Sequence, residues 1–156
     1  MSRVPCHDST TNLMTIKETE SEIINEFSAF DDWLDKYSMI VEMGKSLPLI
    51  DANFRTDQYV ITGCQSKVWL HATYKDGTII FTADSDAIIT KGIVNLLIRV
   101  LSGHTPDEII NAKLEFIDKI GLREHLSPTR SNGLNSMIKQ MRLYALAFKT
   151  KMAGNG

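Results

Sequence analysis

Apolar residues recur along the chain in two periods, and the switches between them mark out the fold. From Ser21, the apolar positions Ile23, Ile24, Phe27 and Phe30 fall at helical spacing. A second stripe, Trp33, Leu34, Tyr37, Ile40, Val41, Gly44 and Leu47, again steps by three and four; Asp31 can cap it and Pro48 stops it. Residues 51–58 keep no period and read as a loop. The period then drops to two. Gln58–Ile61, Lys67–Tyr74 and Thr78–Ala83 read as strands, the second with Val68, Leu70, Ala72 and Tyr74 on one face and Trp69, His71 and Thr73 on the other. Lys75-Asp76-Gly77 joins the last two strands, and Asp-Gly tolerates the positive φ angles of a tight hairpin turn. An antiparallel meander of three strands follows.

Helical spacing returns after Ala83. Ile88, Ile89, Ile93, Val94, Leu96, Leu97, Val100 and Leu101 wrap much of one helix, which predicts a central helix packed on the sheet. Asp84 or Ser85 can cap it, and Asp86 falls in its first turn, where the helix dipole favours a carboxylate. Gly92 costs this helix about 1 kcal/mol against alanine, which implies another backbone close by. Gly103 ends the helix, and Thr105-Pro106-Asp107-Glu108 is a capping box that opens a short one. The segment Phe-Ile-Asp-Lys-Ile-Gly-Leu allows one or two more turns. Ser127-Pro128 then launches a long helix carrying Leu134, Met137, Ile138, Met141, Ala145 and Phe148 on one side. The predicted architecture is a single α+β domain over residues 17–152: a three-stranded antiparallel sheet covered by several helices. Residues 1–16 read as a disordered polar arm and 153–156 as a tail.

Composition narrows the function classes. A chain of 156 residues with 43% hydrophobic residues can bury a core, and a net charge of −2 supplies no basic field for nucleic acid. No run of 18 apolar residues exists to span a membrane, and the first residues hold no apolar leader segment, so a cytoplasmic protein with reduced thiols is expected. Residues 17–35 carry seven acids against one base, and residues 120–156 six bases against one acid. These read as two solvated helix faces that attract each other.

The chain has two cysteines, Cys6 in the polar arm and Cys64 in Thr62-Gly63-Cys64-Gln65-Ser66-Lys67, between the first and second predicted strands. Two thiols are too few for a disulfide framework, Cys6-His7 has no partner pair nearby, Cys64 has no second cysteine at zinc or iron–sulfur spacing, and there is no paired redox motif, so no metal and no resident cofactor are expected. Gly63 can take backbone angles closed to other residues, Gln65 and Ser66 supply hydrogen-bonding groups, and the flanking runs are apolar. His71 is too far along the adjoining strand to meet Cys64, and His104 and His125 cannot be placed against it, so a Cys–His hydrolase has little support. The residues alone leave two readings open, a buried structural thiol or a reactive one. One chemistry needs a single thiol and no base of its own: attack on the outer sulfur of a persulfide, as in thiol–disulfide exchange.

The motif Val60-Ile-Thr-Gly-Cys-Gln-Ser-Lys-Val-Trp-Leu70 resembles the core of SufE-type proteins, sulfur acceptors for cysteine desulfurases in iron–sulfur cluster assembly. Three more segments resemble that family in the expected order: Leu34–Pro48, Ala83–Ile93 and Gly121–Leu134. The similarity spans roughly residues 22–148. It implies the fold of NifU/IscU-type scaffolds and a protein that takes sulfur onto Cys64 and raises desulfurase turnover. It also implies delivery of the sulfur to an iron–sulfur scaffold complex. The donor would be a pyridoxal-phosphate-dependent enzyme of the SufS or CsdA type. On this reading the chain is a carrier and activator rather than an independent enzyme, with neither nucleic acid nor membrane as partner; a homodimer is left open. Gly63, Gln65 and Ser66 map to the cysteine loop, which in the family tends to be sheltered at rest and to swing out on docking. Asp86 and Arg130 map near it, Arg130 either favouring an anionic sulfur or pairing with a carboxylate such as Asp86. Ala83 replaces a glycine usual before the Asp-Ser-Asp-Ala motif, and the arm with Cys6 lies outside the resemblance. The motifs do not separate SufE from its relative CsdE. Two other readings stand beside the carrier: a desulfurase-binding regulator of the same fold without sulfur transfer, and a cysteine-dependent peroxidase or hydrolase.

Overall fold

The computed structural model describes residues 14–64 and 66–154. Gln65 and residues 1–13, with Cys6, lie outside them, and the expected arm of residues 1–16 is shorter at its end, since Thr15 caps the first helix and Ile16 already belongs to it. Helix α1 (Ile16–Ser28) starts before Ser21 because Thr15 and Glu18 form a capping box: the Thr15 hydroxyl accepts from the Glu18 amide and the Glu18 carboxylate from the Thr15 amide. Helix α2 (Trp33–Gly44) is capped by Asp32, not Asp31; the Asp32 carboxylate accepts from Leu34 N at 3.0 Å.

The sheet has two strands among the described residues, β1 (Val68–Lys75) and β2 (Thr78–Ser85), paired antiparallel from Val68↔Ser85 to Lys75↔Thr78. Asp76 and Gly77 at the turn both have positive φ, as the Asp-Gly signal predicts. The third predicted strand is not formed. Asp57–Tyr59 winds into a 3₁₀ turn, and only one antiparallel bridge, Val60↔Trp69, survives beside it. The apolar run is three residues long before Gly63, with φ +93°, turns the chain away, so a ladder has no room to extend. The far edge of β2 is closed instead by irregular chain. Ile79 N donates to the His104 carbonyl, Phe81 N to Ser102 Oγ and Ala83 N to the Pro48 carbonyl. That covers the alternate amides an edge strand would otherwise expose.

Helix α3 (Ile88–Leu101) lies against the inner sheet face, where Val68, Leu70, Ile79, Phe81 and Ala83 are buried, and is flanked by α1 and α2. Ten of its 14 residues are buried, so it is the core of the domain. Gly92 does meet another backbone. A Cβ there would collide with the Ile40 carbonyl, and one at Gly44 would sit 2.9 Å from Gly92 N. Asp86 precedes α3 rather than standing in its first turn; the cap is Ala87, with no side-chain bond to the helix. The short helices α4 (Pro106–Asn111), α5 (Phe116–Lys119) and α6 (Leu122–His125) lead to α7 (Pro128–Gly154), which packs on α4 and α3 and sends the Tyr144 hydroxyl to the Leu70 carbonyl at 3.0 Å.

Among the described residues no ion pair joins the acidic segment to the basic one. Arg99 of α3 binds Glu22 and Glu26 of α1, an arrangement that holds the Glu26 carboxyl below the usual carboxylate range. The C-terminal bases find other acids: Arg123 meets Asp118, and Lys149 meets Asp107.

Candidate functional site

The loop carrying Cys64 is pinned at both ends. At its base Ile61 N donates to the Val68 carbonyl at 2.8 Å. At its far end Lys67 is bonded three ways: its amide donates to the Asp86 carboxylate at 3.1 Å, and its carbonyl accepts from Ser85 Oγ at 2.8 Å and Asp86 N at 3.3 Å. Asp86 therefore holds the loop to the open end of the hairpin through Lys67. Between the anchors, Gly63 and Cys64 lie against the first half of α7.

Two small residues of α7 make this possible. Gly133 is buried under Cys64: a Cβ there would stand 3.5 Å from Sγ, and the thiol donates to the Gly133 carbonyl at 3.6 Å. One turn on, Ser136 faces Gly63, where a Cβ would lie 2.5 Å from Ser136 Oγ. Gly63 is thus required twice, for its positive φ and for its lack of a side chain. Ser66 sits half-buried in the same loop. Arg130, half-buried one turn before Gly133, takes part in no ion pair among the described residues; Asp86 is not brought to it.

The sulfur is half-buried, and that burial pushes its pKa up from the ordinary value. None of the three candidate histidines partners it. His71 stacks on Phe54 at 3.9 Å on the outer sheet face, and His125 stacks on Trp33 and donates from Nδ1 to the Gly121 carbonyl. His104 is buried beyond the far edge of β2, with Nδ1 3.5 Å from Glu108. Among the described residues no histidine is therefore placed to serve Cys64 as a base. Among the described residues no cluster of His, Cys, Asp and Glu could hold a metal ion.

Two experiments address the shelter. The alkylation rate of Cys64 is expected to rise with pH around a midpoint above that of a free thiol, measured with iodoacetamide. The same shift weakens the fold in alkali. The folded state holds this proton more tightly than the unfolded one, so its stabilising contribution is lost as pH rises past the ordinary thiol value toward the folded one. Gly133→Leu is expected to speed alkylation at neutral pH about threefold or more, because the new side chain takes the space of Sγ and pushes the thiol into water. An unchanged rate would show that α7 does not shelter the thiol.

Sequence reasoning passed over Gly133 and Ser136. A glycine inside a long helix, with a small residue three positions on, was the available signal, the same one that marked Gly92.

The family model for SufE, described as an Fe-S metabolism associated domain, matches residues 21–145. The chain belongs to the SufE family. It is 40% identical over 126 residues to an uncharacterized SufE-like protein of Rhizobium meliloti, covering 78% of this chain and 90% of that one. A second uncharacterized SufE-like protein, from Rhizobium etli, is 41% identical over 127 residues, covering 78% of this chain and 85% of the other. SufE-like protein 1, chloroplastic/mitochondrial, of Arabidopsis thaliana is 36% identical over 131 residues, 83% of this chain but 35% of the plant protein. A hypothetical protein from Thermus thermophilus, solved in solution, superposes with a TM-score of 0.71 at 19% identity, over 85% of this chain and 96% of that one. At that identity the likeness is of fold alone. Membership ties the SufE-family chain to iron–sulfur metabolism. Among the described residues no helix is long and apolar enough to cross a membrane.

Proposed function

We propose that this SufE-family chain is a sulfur carrier. Its Cys64 accepts sulfane sulfur from the persulfide of a pyridoxal-phosphate-dependent cysteine desulfurase, raises that enzyme's turnover, and passes the sulfur to an iron–sulfur scaffold. In the accepting step Cys64 loses its proton to solvent or donor, and its thiolate attacks the outer sulfur of R–S–SH. The new S–S bond forms as the old one breaks, and the donor leaves as its thiolate. No net oxidation occurs.

The observation that carries this reading is a thiol on a glycine-hinged loop, laid against a helical glycine, with no histidine or second thiol beside it among the described residues. Such a thiol is protected at rest. When the loop lifts from α7 the desolvation that raises its pKa is relieved, so exposure and activation arrive together. Asp86 serves as a hinge anchor through Lys67. Arg130, without a carboxylate partner among the described residues, supplies positive charge one turn from Gly133 for a departing or arriving sulfur anion. Leu49 and Ile88, 61% and 65% exposed, stand at the same open end of the hairpin. They give a protein donor an apolar patch to dock on.

The test is an intact mass, taken without reductant, after incubation with a cysteine desulfurase and cysteine. A reductant-labile gain of whole sulfur atoms is expected. No gain, with desulfurase turnover still raised, would leave only the regulator that binds without transferring; peroxide consumption dependent on Cys64 would instead point to a peroxidase.

A further inference from the structure

On the flank of α7 turned away from Cys64 there is a second concavity of about 450 Å³, between α7 and the segment joining α4 to α5. Its size is that of a small-molecule pocket. Ile110, Leu114 and Ile138 line it, and Leu143 and Leu146 stand in its wall 45% and 50% exposed. Leu114 is held in the left-handed region at φ +56°, a strained conformation for a leucine.

The polar part of the lining is of one sign. Lys113, Arg123, Lys139 and Arg142 face the cavity, and its lining contains no carboxylate. Arg123 is neutralised by Asp118 at 3.2 Å. Lys113, Lys139 and Arg142 take part in no ion pair among the described residues. Arg142 spends one nitrogen on the Ala112 carbonyl at 2.5 Å, while its Nε is buried without a hydrogen-bond partner. A buried donor left unmet is costly, and cations gathered beside exposed leucines repel one another. An anion joined to an apolar group would offset that repulsion and cover the leucines.

We propose that this cavity binds a small anionic amphiphile, a phosphate or carboxylate carrying a short apolar group. The anion would sit on Lys139 and Arg142, with Lys113 at the rim, and the tail would cover Leu143 and Leu146. The site is independent of Cys64, since Gly133 and Ser136 face the loop while Ile138, Lys139 and Arg142 face the cavity.

The test titrates the isotope-labelled full chain with octyl phosphate, octanoate, octanol and inorganic phosphate, followed by amide NMR shifts. Octyl phosphate or octanoate is expected to bind about tenfold more tightly than octanol or inorganic phosphate, with shifts confined to residues 110–114 and 135–146. Lys139→Gln, an exposed position that leaves the fold intact, and Arg142→Gln are each expected to weaken binding several-fold, and Cys64→Ser to leave it unchanged. Equal binding of octanol, equal binding of bare phosphate, or indifference to both substitutions would overturn the proposal. So would retention by anionic phospholipid vesicles or by a glutamate-rich peptide with no response to the free amphiphiles, since the surface would then contact a membrane or a protein.

Discussion

Cys64→Ser is expected to carry no sulfur at all and to lose all sulfur delivery, while the domain keeps its fold. The hydroxyl is smaller than the thiol but can still donate to the Gly133 carbonyl, the contact the thiol makes at 3.6 Å. Half-buried and on a loop, the change should shift stability by no more than about 1 kcal/mol. Chemically it is all or nothing. A hydroxyl is not ionised near neutral pH and does not attack sulfane sulfur, and among the described residues no other thiol can stand in. Intact masses of the two proteins, with melting curves as the fold control, measure both halves. Sulfur retained by the serine variant at the wild-type level would place the acceptor elsewhere and sink the role of Cys64. Unaltered stimulation of the desulfurase by the variant would show that stimulation needs docking and not transfer.

The second large effect is on stability. Gly92→Ala places a methyl group into the Ile40 carbonyl at the closest approach of α2 and α3. Both partners are backbone, and the neighbouring Gly44 packs as tightly on Gly92 N, so the helices must separate. Alanine's better helix propensity returns about 1 kcal/mol. Overpacking of this kind costs about 3 kcal/mol or more, because Ile40 is fully buried and cannot yield. The net loss should lower Tm by about 5–10 °C for a domain of this size. Calorimetry or thermal circular dichroism measures it. A Tm within about 2 °C of wild type would mean that the crossing can relax.

How much was legible in the sequence differs by element. The hairpin was, because Asp76-Gly77 encodes its own turn and the alternation of Val68, Leu70 and Ala72 encodes its buried face. The central helix was, because its apolar residues nearly encircle it, and so was its crossing with α2, because a mid-helix glycine must repay its cost through close packing. The strand expected at Gln58–Ile61 was not. β-propensity there is real but local, and whether a three-residue run pairs is decided by what its neighbours leave room for. The caps failed by one residue at Asp31 and Asp32 and in role at Asp86, since several acids in a row offer the same local signal and only the helix axis selects among them.

The candidate site divides along the same line. The sequence by itself singled out Cys64 as the candidate thiol while leaving a structural role open, marked Gly63 as giving its loop an unusual turn, and carried four spaced motifs that resemble the SufE family. Tertiary structure alone decided what that thiol meets. It laid Cys64 on Gly133 and Gly63 on Ser136, some seventy residues away along the chain, and it sent Asp86 to Lys67 rather than to Arg130. Periodicity reports which face of an element is apolar. It carries no record of which distant surface that face will touch, and the pKa of Cys64 depends on that surface: partial burial against α7 pushes it above the ordinary thiol value.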